Sequence, residues 1–366
     1  MKKFLSIEVD RKRVFGLDLL RAFAIFCVAH GHGKHYLEDT ALDFITRIPL
    51  PHGVDIFFVM SGFLIGKSFI SYMEQHDKLV GWPKTLSFYV RTALRIVPNY
   101  LFILLVYYFL VHFQVIYGNL HAFPIWRFAT FTQNLVTPFW DFYWESWSLP
   151  VQWWFYILFP LLLTLCCRFI KPKIFVPIIC LLFVLISMVF RANVSKEVVN
   201  SFFWDVWIRR TVASRCDNVY LGVLVAWVRC YYPEKWERHA VKSLIAGIVL
   251  FIVSITVRGN IGSAYSNIFY LTLSALSVAL WFPFFSKITS FKSHVGSAIT
   301  RISILSYAMF LTNLMIVQII DKNCPALVEH GVLAYIVYWM LVFVASYLLY
   351  ILVEKPFVGL RERIHQ

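Results

Sequence analysis

Charge is what this 366-residue chain has least of: Asp, Glu, Lys and Arg make up only 15% of it, against 60% hydrophobic and 18% aromatic residues. Together with a mean hydropathy of +0.68, that scarcity excludes an ordinary soluble domain. A long polar segment is also missing. The widest gap between apolar runs, about 114–148, is itself rich in Phe and Trp, so no fused soluble domain is expected. The seven cysteines form no C-x-x-C pair, which excludes a zinc ribbon and offers no disulfide framework. There is no internal repeat and no low-complexity tract, which weighs against an inverted-repeat transporter. A cleavable signal is not expected either, because Phe4-Leu5-Ser6-Ile7-Glu8 is too short and too charged to be its apolar core.

What is present is a series of apolar runs near 17–29, 54–72, 98–115, 149–167, 175–190, 212–228, 244–257, 268–285, 302–320 and 332–353. At roughly 20 residues per span these predict an all-α, polytopic transmembrane bundle of about ten helices, one membrane domain over 1–366. An even number of spans puts both termini on one side. The segments on that side hold 23 of the 34 Lys and Arg residues and the opposite segments hold ten, five of these in the single loop 191–215. Both termini should therefore be cytoplasmic. The net charge of +14 follows from this topology and gives no support for a nucleic-acid partner.

The first run carries the sharpest signal. Asp18, Arg21, His30 and His32 lie within or beside one apolar segment, and charges in lipid are retained for a reason. At about 100° per residue the eleven steps from Arg21 to His32 end roughly 20° past three turns, so the two share a face with His32 about 16 Å further along. His30 falls on the opposite face, while His35 returns to the first side. His32 and His35 could both reach one metal ion, but no third ligand stands at comparable spacing, and acid–base work suits such imidazoles equally well.

Further along, Asp55 sits near the start of the second run and needs a polar partner there. Ser61-Gly62 in its middle permits close approach of a neighbouring helix or a ligand. Arg91 and Arg95, four apart on one face, could grip a phosphorylated donor or simply anchor the helix among lipid phosphates. Ser148, Gln152 and Tyr156 recur at i, i+4, i+8 beneath Trp147, a stripe that suits a sugar-like acceptor or ordinary interhelical hydrogen bonding. Four tryptophans in 121–147 read as an interfacial or re-entrant element.

In their order and spacing these segments resemble the acyltransferase-3 family, integral-membrane O-acyltransferases of surface polysaccharides and other extracytoplasmic acceptors. The matching pieces are Asp18-x-x-Arg21, the spacing from Arg21 to His32, Gly53-Val54-Asp55-Ile56-Phe57-Phe58 with Ser61-Gly62-Phe63-Leu64, Arg91-x-x-x-Arg95-Ile96-x-Pro98, Trp147-Ser148-Leu149 with Phe155-Tyr156 and Pro160, and Glu354-Lys355-Pro356-Phe357. Two positions depart from the family pattern: Gln152 stands where a glutamate is usual, and Asn313 where a histidine is usual. Neither amide can exchange a proton near neutrality.

The resemblance implies a multi-pass enzyme of the bacterial cytoplasmic (inner) membrane that moves an acyl group, expected to be acetyl, from cytoplasmic acyl-CoA to a hydroxyl of a cell-surface or lipid-linked saccharide. Acyl-CoA is then a co-substrate and no bound cofactor is implied. His32 is expected as general base or transient acyl carrier, Asp55 as its orienting partner and Arg21 along the route. Arg91, Arg95 and Ser61 are expected at the donor; Trp147, Gln152 and Tyr156 at the acceptor. The rival reading is a transporter or flippase for a lipid-linked sugar, since intramembrane charges and aromatic rims serve transport too.

Overall fold

The computed structural model describes residue 7 and residues 13–76, 81–259 and 261–363. Lys2, Lys3, Arg11, Lys12 and Lys78, used in the charge count, lie outside these residues, as does most of the stretch 4–8. Each apolar run falls on a helix, though α3 and α9 begin well before their runs and α8 stops short of its own: α1 Phe15–Gly33, α2 Gly53–Gln75, α3 Trp82–His112, α4 Ser148–Cys166, α5 Pro172–Val194, α6 Val212–Tyr231, α7 Ala240–Thr256, α8 Tyr270–Ala279, α9 His294–Asn323 and α10 Gly331–Leu349. No strand occurs among the described residues. Among the described residues seven helical segments are long and apolar enough to cross a membrane; α1, α6 and α7 are not among them. The first two carry charge in mid-helix and the third is short, at 17 residues. The chain is a multi-pass membrane protein.

Helix α2 packs against α1, α4, α6 and α8, and α9 packs on α1 and α10. The α2–α6 crossing is close because two glycines face each other. A Cβ on Gly62 would lie 1.9 Å from the Val219 carbonyl oxygen, and one on Gly222 would lie 2.1 Å from that of Val59. The close-approach reading of Gly62 therefore holds, with a helix as the neighbour. Ser61, one residue back, points elsewhere and meets Tyr156.

Buried ion pairs lace the same region. Asp55 is fully buried and paired with buried Arg215 of α6. Its oxygens also accept from Asn218 Nδ2 at 3.2 Å and Ser274 Oγ at 2.9 Å. This corrects the expectation that Asp55 orients His32. Both carboxylate oxygens are turned toward α6 and α8, roughly 100° around α2 from Val54, which faces the cavities described below. Arg191 of α5 pairs with Asp217 of α6 at 2.9 Å, both fully buried. Arg209 and Arg210 both pair with Asp205. Four of the five cations in 191–215 are thus held by aspartates.

Candidate active site

Two cavities lie along α1 and α2, one toward each end. The larger, about 610 Å³, is lined by Arg21, Ser61, Arg91, Arg95, Gln152 and Tyr156 among others. The smaller, about 360 Å³, is lined by His32, His52, Glu145, Trp147, Arg209 and Arg210 among others. Val54 and Phe310 line both, so the two spaces are divided by a pair of apolar side chains. The order along the chain fits: Arg21 precedes His32 on α1, and antiparallel α2 runs from His52 at the small cavity toward Ser68 at the large one.

In the larger cavity three guanidiniums converge from α1 and α3. Arg21 is within electrostatic reach of Arg95 and Asp18, and Arg95 within reach of Glu354. Asn99 Nδ2 donates to Glu354 Oε2 at 3.0 Å, so the late Glu-Lys-Pro-Phe segment is tied to α3 beside the arginines. Three cations around one space form an anion site, and guanidinium geometry matches phosphate. The Tyr156 hydroxyl donates to Gln152 Oε1 at 3.0 Å and lies 3.1 Å from Ser61 Oγ. Grouping Gln152 and Tyr156 with Trp147 at the acceptor is therefore corrected. Both face the arginine-lined cavity, and of the three only Trp147 meets the space that holds His32. A helix carries the stripe down one face, whereas Trp147 precedes α4 on a 3-10 turn, Trp144–Trp147, and lines the cavity that holds His32.

His32 is held by Asn313. Its Nδ1 lies 2.5 Å from Asn313 Oδ1, while Asn313 Nδ2 donates to the carbonyls of Met309 at 2.9 Å and Phe310 at 2.8 Å. With both amide protons spent on backbone, Oδ1 can only accept, so Nδ1 of His32 carries the proton and Nε2 carries the lone pair. That fixed tautomer is what a general base needs. Asn313, a departure from the family pattern, thus does the orienting expected of Asp55.

The neighbouring imidazoles do other things. His30 Nδ1 lies 2.9 Å from the Tyr335 hydroxyl and its ring stacks on Phe26. His35 lies 3.0 Å from the His32 carbonyl and 3.3 Å from Asp321, whose hydrogen bond raises its pKa. His52, just before α2, is kept neutral: burial, with Arg209, Arg215 and Arg258 adding to it, brings it down to about 4 against the pull of Asp55.

The sequence reading missed Glu145, Arg209, Arg210 and His52. Glu145 lies inside the element read as interfacial or re-entrant, and the two arginines inside a basic loop. The available signals were a lone acid between two tryptophans and the excess of cations on the wrong side.

A family model described as an acyltransferase domain matches residues 14–354. Among curated proteins, the O-acetyltransferase OatA of Staphylococcus aureus is 30% identical over 173 residues, with the same figures for strains NCTC 8325 / PS 47, COL and MRSA252. The aligned stretch is 43% of this chain and 26% of the relative, so the chain spans about a quarter of the length of the proteins it matches. No solved structure matches.

Proposed function

Because the chain belongs to the acyltransferase-3 family, we propose that it is a membrane O-acyltransferase that moves an acyl group, acetyl in the first instance, from acyl-CoA to a saccharide hydroxyl. The observation that carries this is the pair of cavities with an arginine cluster on one side of Val54 and Phe310 and a tautomer-fixed histidine on the other. The anionic part of the donor sits against Arg21, Arg91 and Arg95, and its thioester reaches past Ser61, Gln152 and Tyr156 toward His32. The acceptor occupies the smaller cavity against Trp147.

His32 Nε2 takes the proton from the acceptor hydroxyl as its oxygen attacks the thioester carbonyl. Collapse of the tetrahedral adduct breaks the C–S bond, and the departing thiolate receives that proton. All ten helices cross the bacterial cytoplasmic (inner) membrane in this reading, both termini and the arginine end facing the cytoplasm, because the Lys and Arg excess lies there. The transporter reading has no comparable support, since the family match favours transfer.

The test is release of free thiol from acetyl-CoA by the purified protein, with donor binding measured by titration calorimetry. Thiol release by the native protein is expected. Arg91→Ala with Arg95→Ala should weaken acetyl-CoA binding at least tenfold, the loss of one or more charged hydrogen bonds. Unchanged donor binding would return the two arginines to lipid anchoring.

A further inference from the structure

Glu145 is a buried carboxylate, 3% exposed, and it is only half used. Tyr107 donates its hydroxyl to Oε1 at 2.5 Å, but Oε2 has no hydrogen-bond partner among the described residues. The nearest cation in electrostatic terms, Arg210, is paired with Asp205 and lies over the Trp144 ring at 4.4 Å. An acceptor oxygen withdrawn from water and left unmatched costs stability. The Tyr107 contact does not explain it, because that hydroxyl satisfies Oε1 alone.

The carboxylate is also held in place. The turn Trp144–Trp147 is entered through Tyr143 at φ 42°, a left-handed conformation that bulky residues rarely adopt. Ser146 Oγ donates back to the Tyr143 carbonyl at 2.7 Å, and Asn134 Nδ2 donates to the Trp147 carbonyl at 2.7 Å. Tyr107 stacks on Tyr143 with ring centroids 4.4 Å apart. Backbone, ring and hydroxyl together pin Glu145 where it lines the small cavity with His32 and Trp147. That space, about 360 Å³, is at the lower end of the range for small-ligand sites, about 300–1,000 Å³.

We propose that Glu145 is an acceptor-binding residue whose Oε2 receives a hydrogen bond from a saccharide hydroxyl, placing a sugar ring between Trp147 and His32. The inference rests on the acyltransferase reading for the direction of chemistry, but the binding it asserts is measurable without donor. The polar recognition element of the acceptor site is then a carboxyl oxygen that favours a polyol.

The experiment is a saturation-transfer NMR titration of the purified full-length protein, with no acetyl-CoA present, using methyl β-glucoside and methyl N-acetyl-β-glucosaminide as probes. The native protein should bind at least one probe, and Glu145→Gln should bind it at least tenfold more weakly with an unchanged melting temperature. In a parallel thiol-release assay the KM for acetyl-CoA should stay within twofold of native. Equal probe binding by native and Glu145→Gln overturns the proposal, as does a native protein that binds neither probe. If Glu145→Gln does not fold, Tyr107→Phe takes its place: loosening the carboxylate should weaken probe binding severalfold, and no weakening overturns the proposal. A protein that binds sugar through Glu145 yet releases no thiol from acetyl-CoA refutes the acyltransferase reading and leaves this inference standing.

Discussion

At the scale of single residues the proposed chemistry rests on one imidazole, His32, and the Asn313 amide that orients it. His32→Ala should abolish transfer while the protein still inserts and binds acetyl-CoA. His30→Ala, whose ring is engaged by Tyr335 and Phe26 although it lines the same cavity, should keep most activity, and the reverse pattern would move the base to His30. Asn313→Ala releases Nδ1 from its fixed partner and should lower kcat by about 10²-fold or more, the usual worth of a positioned acid–base group, with little effect on the KM for donor. Gln152→Glu tests the reassignment of that position to the arginine cavity. A carboxylate there competes with donor phosphates for the guanidiniums, so the KM for acetyl-CoA should rise severalfold; a KM that rises only for acceptor would restore the sequence-based grouping with Trp147. The shared face of Arg21 and His32 was legible from helical periodicity alone. The Asn313 contact was not, since it joins positions 281 apart in the chain, and no local pattern reports which side chain another helix will present.

At the scale of helices the account turns on α2. Its crossing with α6 leaves no room for a methyl group on either Gly62 or Gly222, so Gly62→Ala should destabilise the protein by about 1–3 kcal/mol or prevent its accumulation, read as melting temperature in detergent. Asp55→Ala strands Arg215 as a buried unpaired charge, at a cost of about 3–5 kcal/mol. The loss should appear as instability and not as a changed pH profile, because Asp55 ties helices together and does not touch His32. Here sequence reading was half right. A carboxylate near a membrane helix start did need a partner, and a Ser-Gly pair did mark a close crossing, but helix periodicity cannot say whether Asp55 faces α1 or α6. Ten helices follow from the apolar runs; among the described residues seven segments meet the length and hydropathy of a span, because α7 is short and α1 and α6 spend helix positions on charge.

At the scale of the whole molecule, the two cavities meet at Val54 and Phe310, where donor and acceptor would come together at the start of α2. The division of labour between their linings was invisible in the sequence, which placed Arg21 and His32 on one segment and Arg91, Arg95 and the polar stripe on others, without showing that Gln152 belongs with the arginines and Glu145 with the histidine. Acetyl transfer between the cavities is therefore the claim on which the account depends. The direct measurement uses the protein in liposomes with [14C]acetyl-CoA and saccharide acceptor, comparing native protein with Val54→Trp, which fills the junction. The account predicts label in the saccharide with native protein, and with Val54→Trp native affinity for acetyl-CoA but no labelled saccharide. Labelled saccharide formed at the native rate by Val54→Trp, or none formed by native protein that binds both substrates, would contradict it.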